Sequence, residues 1–355
     1  MAKNNSNENV KEQGKKILLI TYPRTASNLL VKMLSLDDQA TIVSNEKGGY
    51  FFWDAFMTGR STGSIYKSIE HWGAEETNQI RRAFQQSLDD LEDKSKTAKS
   101  ESKIVFAKEH AQWFANPAEV DNHLSGNNGP ATLPFSMDIP DLSDSMRTFS
   151  SNNLTVLPDE YLQTWTLTFL IRHPALAFPS FYRSMIDLEK AGLANPHELQ
   201  PMLKLHTTLK WTRMLYDWCC QHTTELYTNQ NDDAQYPLVL DAHDVINHPE
   251  VVIRYCDLIG MDRTKLKFEW SSEAPKTTSD LSNKTTQKSP EEVMKATLRQ
   301  SSSLLKEKAP MVIDIVSEAK KWKEEFGNDL GEQMEDWVQN AMVDYEYLRA
   351  RRLHL

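Results

Sequence analysis

Four strand-sized apolar runs recur along this chain, each followed by polar residues and then a helical pattern, and no other feature limits the fold as tightly. KILLI (16–20) leads through Tyr22 and Pro23 into NLLVKML (28–34), where Leu29, Leu30, Met33 and Leu34 fall at helical spacing. KIVFA (103–107) is the second run. WTLTFLI (165–171) ends in Arg172, His173 and Pro174, and YPLVL (236–240) precedes Pro249 and the helical stretch VVIRYCDLI (251–259), closed by Gly260. Uninterrupted apolar strands are those buried on both faces, as in parallel sheets. The expected fold is therefore α/β: a doubly wound, mainly parallel sheet with flanking helices. Ligands of such sheets bind at the carboxyl ends of the strands, so the residues at each run's end carry the functional argument.

Residues 1–15 are polar and read as a disordered lead-in, with 16–355 forming one α/β domain. Within it, 122–153 is rich in Gly, Pro, Ser and Asp and too long for an ordinary connection; a mobile lid and a disordered surface loop are both open readings. Residues 290–355 are strongly helical in pattern, with Trp322, Phe326, Trp337 and Tyr345 as packing anchors. A hydrophobic fraction of 39% excludes wholesale disorder across the 355 residues. The net charge of −10 argues against a basic nucleic-acid or membrane-surface binder, though not against a local cationic pocket. Three cysteines build no disulfide framework, and no run reaches membrane length or forms a signal-peptide core. The expected location is cytoplasmic.

Chemistry gathers at three places. TYPRTASN (21–28) joins a buried strand to a helix start, where unpaired N–H groups and the helix dipole favour an anion. Arg24 adds a fixed cation and Thr25, Ser27 and Asn28 add small polar groups, with Ala26 between them. It is not a Walker A loop. KEH (108–110) follows the second strand and offers His110 as a general base. RHPALAFPS (172–180) places Arg172 at a strand end and Ser180 on the next helix, both within reach of one phosphate. Pro174 suits the first helical position, whereas Pro179 should distort that helix. GRSTG (59–63) matches a hydrolase nucleophile elbow but lacks the strand that the elbow requires. The aromatic run FFWDAFM (51–57) reads equally as an acceptor pocket or as core. No metal is expected, because neither HExxH nor zinc spacing of Cys and His occurs.

Taken together, in this order, the three elements resemble the PAPS-dependent sulfotransferase family. YPRTASNL (22–29) is similar to that family's phosphosulfate loop, Lys108 and His110 to its K-x-H strand end, and Arg172 with Ser180 to its 3′-phosphate motif. LPDEYL (157–162) and DVINHP (244–249) look like its flanking segments, so the resemblance spans about residues 16–262. It implies sulfonate transfer from PAPS to a hydroxyl, phenol or amine of a small-molecule acceptor, leaving PAP. By that resemblance His110 deprotonates the acceptor, and Lys108 and Arg24 stabilise the transferring group. The amides and side chains of residues 25–28 hold the 5′-phosphate, and Arg172 and Ser180 hold the 3′-phosphate.

The chain also departs from the family pattern. Arg24 stands for lysine, Ala26 for glycine and Leu29 for the adenine-stacking aromatic, while Ala242 and His243 replace Tyr and Glu further on. The C-terminal RKG motif is missing, and Lys284, Lys288, Arg299 and Lys306 are the candidates to replace it. Alternatives are PAPS-dependent elimination or cyclisation, a P-loop-type nucleotide kinase, and a non-catalytic nucleotide-binding protein. The partners expected are a small-molecule acceptor, with a homodimer allowed, and neither nucleic acid nor membrane.

Overall fold

The structure is a computed structural model describing residues 15–127, 137–222, 235–271 and 289–355. The strand patterns become a five-stranded, all-parallel sheet, β1 (Lys16–Thr21), β2 (Ile42–Val43), β3 (Ile104–His110), β4 (Thr166–Ile171) and β5 (Leu238–Asp241), in the order β2-β3-β1-β4-β5. The chain leaves β1 toward β3 on one side and later returns to β4 on the other. The carboxyl end of β1 is therefore the point where strand order reverses and a crevice opens.

Side-chain alternation divides the sheet between two cores. Leu18, Ile20, Leu167 and Phe169 pack on one face; Ile17, Leu19, Phe106 and Leu170 pack on the other. The first face carries the helices Ala74–Ser100, Pro174–Lys190, Lys210–His222 and Asn328–Arg349. The second carries Ser27–Leu34 and Pro249–Ile259. A sheet covered on both faces is the doubly wound α/β arrangement that the apolar runs imply.

Several expectations need correction. The second strand does not stop at Ala107 but runs through Lys108, Glu109 and His110, because these residues keep pairing with Leu19, Ile20 and Thr21 of β1. The two-residue β2 has too short a pattern to be read from sequence. The helix carrying Pro179 stays continuous over Pro174–Lys190, although the proline removes one N–H donor from it. Of the expected lid, residues 122–127 and 137–153 line neither cavity at the strand ends; Asp138 instead pairs with Gln85, and Asn153 with Asp159. Its residues 128–136 lie outside the described residues, as does the lead-in up to residue 14. The C-terminal helices Ile315–Phe326 and Asn328–Arg349 form as expected, with Trp322 and Tyr345 buried. Among the described residues, no helix is long and apolar enough to cross a membrane.

Candidate active site

The loop after β1 is fixed from both sides. The Tyr22 hydroxyl accepts from the Arg172 amide at 2.9 Å and donates to the Arg172 carbonyl, which pins the loop to the end of β4. Thr25 turns its hydroxyl back onto the Tyr22 carbonyl, 2.9 Å away, and so supports the loop rather than lining the cavity above it. Arg24 (φ 69°) and Ala26 (φ 65°) both adopt left-handed backbone, which costs an L-residue about 1–2 kcal/mol each. Ala26 caps the helix Ser27–Leu34, whose first-turn amides at Ser27, Asn28 and Leu29 have no helical partner.

Two guanidinium groups meet beside this loop. Arg24 donates through Nε to Ser180 Oγ at 2.9 Å and through Nη1 to the Met294 carbonyl at 2.7 Å. Arg172 donates to the carbonyls of Arg24 and Lys308, each at 2.8 Å, while its Nε is buried without a partner. Neither arginine has a carboxylate within ion-pair distance among the described residues. Burial first, and then the neighbouring Arg24, push Arg172 down to about 10, so both cations persist at neutral pH. Arg24, Ala26, Ser27, Asn28, Arg172 and Ser180 line a cavity of about 230 Å³. Its roof is a later segment that contributes Met294, Lys295, Ser301 and Lys308.

The end of β3 supplies the second half of the site. Alternation sends Lys108 and His110 to the face that carries the helix Ser27–Leu34, and Glu109 to the opposite one. Lys108 is fully buried: its Nζ donates to Asn28 Oδ1 at 2.7 Å and sits 4.0 Å from the Tyr50 ring centre. It therefore lies beneath the cavity wall rather than on it, and desolvation holds its ammonium well below the usual lysine range. His110 lies between Thr21 Oγ1, 2.6 Å from Nδ1, and the Tyr50 hydroxyl, 3.1 Å from Nε2. Desolvation, and secondarily Lys108, keep its imidazole well below the usual range, and hence neutral at pH 7. Glu109 accepts from the Phe51 and Phe52 amides, orienting the segment that carries Tyr50.

His110 also borders a second cavity of about 210 Å³, walled by Tyr50, Trp53, Phe56, Trp113, Phe181 and Met185. The aromatic run thus serves both open readings at once: Phe52 is core, while Trp53 and Phe56 line this cavity. Lys295 faces both cavities and pairs with Glu291 at 2.5 Å. A cation-rich cavity and an apolar one share His110, an arrangement suited to moving a charged group onto an uncharged acceptor.

Sequence reasoning missed Tyr50, Lys295 and Lys308. Among the residues put forward to replace RKG, Arg299 pairs with Glu292 and Lys306 is exposed; Lys284 and Lys288 lie outside the described residues. GRSTG is not an elbow, because it ends the helix Trp53–Ser61, and Ser61 bonds the Thr58 carbonyl. The ligand atoms of His243, Asp244 and His248 lie within 4.8 Å of one another, yet Asp244 already receives Arg352 at 2.7 Å and His243 faces the Ala309 carbonyl.

No family model and no solved structure matches the chain. Two curated relatives do. The chain is 40% identical over 337 residues to sulfotransferase ppzF of Metarhizium rileyi (strain RCEF 4871), covering 94% of this chain and 95% of that one. It is 39% identical over 339 residues to sulfotransferase ppzF of Metarhizium majus (strain ARSEF 297), covering 94% and 96%. At this identity over nearly the whole length of both relatives, the chain belongs to the sulfotransferase family.

Proposed function

We propose that the protein transfers a sulfonate group from PAPS to a hydroxyl, phenol or amine of a small-molecule acceptor, releasing PAP. The observation that carries this reading is the pair Arg24 and Arg172, two partly buried cations with no carboxylate partner among the described residues, whose guanidinium groups rest on neutral carbonyls. A phosphate is a stronger acceptor than a carbonyl for such donors. The orphaned Arg172 Nε and the free first-turn amides are the groups that a nucleotide with two phosphate sites would satisfy. In this reading Arg172 and Ser180 hold the 3′-phosphate. Arg24, the amides of Ala26, Ser27 and Asn28, and Lys295 at the junction hold the 5′-phosphosulfate. The apolar cavity receives the acceptor, and neutral His110 takes up its proton. Lys108 acts from below by fixing Asn28. Fixed cations neutralise the leaving phosphate, as in other reactions that depend on positioning and electrostatics.

Calorimetry tests this. PAP should bind, and ATP should bind far more weakly. Arg172→Ala should weaken PAP by about 2–3 kcal/mol while changing adenosine 5′-phosphosulfate much less, because only PAP carries the 3′-phosphate. Binding of ATP without PAP would replace the sulfotransfer reading with the kinase one.

A further inference from the structure

His110 borders both cavities, but each of its ring nitrogens already has a partner. The imidazole is only 6% exposed and both ring nitrogens are covered, Nδ1 by Thr21 and Nε2 by Tyr50, while Trp113 packs edge-on with its centroid 4.2 Å away. The Thr21 hydroxyl also lies 3.1 Å from the Glu109 carbonyl. With its single proton donated there, its oxygen is free to accept from Nδ1–H, which leaves the lone pair on Nε2. That lone pair faces the Tyr50 hydroxyl. The same hydroxyl stands 3.3 Å from Ser27 Oγ in the phosphate loop, and Tyr50 lines the apolar cavity. Tyr50 therefore stands between base and acceptor, at the seam with the anion cradle.

We propose that Tyr50 relays the proton: the acceptor's hydroxyl gives its proton to the Tyr50 oxygen as Tyr50 passes its own to His110 Nε2. This rests on the sulfotransfer reading above. As the acceptor oxygen forms its bond to sulfur, the bond from sulfur to the 5′-phosphate oxygen breaks and the electron pair leaves with PAP. Its O–H proton replaces the one that Tyr50 has surrendered. His110 ends as an imidazolium, with Nδ1–H retained on Thr21, and later returns its extra proton to solvent. The two transfers run together, because burial holds the Tyr50 phenol well above the usual tyrosine range and disfavours a free phenolate. Lys108 Nζ sits over the ring, 4.0 Å from its centre.

The relay and a directly acting His110 predict opposite results for Tyr50→Phe. If His110 acts directly, losing the hydroxyl unmasks Nε2 and turnover holds or rises. If Tyr50 relays, turnover of PAPS with an aliphatic alcohol should fall roughly 10²–10⁴-fold, and less with 4-nitrophenol, which is already partly ionised. PAP affinity by calorimetry should stay within a few-fold, which shows that the variant is folded. A second readout needs neither donor nor acceptor. In the ¹⁵N spectrum of histidine-labelled protein, His110 should carry its proton on Nδ1, and its Nε2 resonance should move in Tyr50→Phe without a change of tautomer. A wild-type Nε2 that is protonated, or that ignores the substitution, overturns the relay. So does a Tyr50→Phe enzyme that binds PAP and turns over at the wild-type rate. Wild-type protein that binds no PAP would instead overturn the sulfotransfer reading on which the relay depends.

Discussion

Among single residues, Glu109 shows how burial under a site becomes a pH dependence. Desolvation raises its carboxyl to about 8 despite two backbone donors and Lys108, and its second oxygen is buried without a partner. A carboxyl whose folded pKa lies above its unfolded value contributes stability that is complete below about 4.5 and is lost as pH rises through about 8. His206, lowered to about 4 by burial, works the other way and is spent by about pH 6.5. Glu109→Gln keeps an acceptor for the Phe51 and Phe52 amides but cannot ionise. Its melting temperature relative to wild type should therefore rise as the pH is taken from 6 to about 8, and level off above that. Parallel curves for the two proteins would show that Glu109 does not titrate in that range.

Elements matter through how closely they approach. Gly49 has φ +95°, and a Cβ there would lie 3.0 Å from the Lys108 amide nitrogen, which itself donates to the Gly49 carbonyl. Gly48 has φ +70°, but its nearest neighbour is the flexible end of Lys108 at 3.9 Å. Gly48→Ala should therefore cost only the left-handed strain, about 1 kcal/mol, and Gly49→Ala about 2 kcal/mol or more, because backbone must also move. Urea unfolding of the two variants measures the gap. Gly49→Ala should also slow turnover disproportionately, since Tyr50 is the next residue. This unit marks the limit of what the sequence discloses. The loop at 21–28 and the strand end at Arg172 were legible because a buried run followed by polar residues and a helix has a pattern. Tyr50 belongs to no periodic element; it reaches His110 only because two glycines let its segment lie against β3. Lys108 was legible as a strand-end cation but not as a buried one, because its partner Asn28 is 80 positions away. The roof residues Lys295 and Lys308 come from short helical turns with no period to read.

For the molecule as a whole, the site and the far end of the chain make separable demands. The crevice lies at the centre of the sheet, where β1 meets β3 and β4, whereas β5 is an edge strand whose outer side is open to wrong pairing. The chain covers part of that edge with its own last residues. The Leu353 amide donates to the Val239 carbonyl at 2.7 Å, Leu353 itself is buried, and Arg352 pairs with Asp244. About two turns earlier, Tyr345 donates to Asp241 at 2.7 Å, so the long C-terminal helix is fastened to the same strand. Leu353→Ala removes a buried side chain that packs on the core face opposite the Asn328–Arg349 helix, and should cost about 2–3 kcal/mol. Because none of these contacts touches Arg24, Arg172 or His110, PAP affinity of the folded variant should remain at the wild-type value. Denaturant unfolding and calorimetry on one preparation check both halves. A loss of PAP affinity that tracks the loss of stability would mean that the edge and the crevice are mechanically coupled through β4.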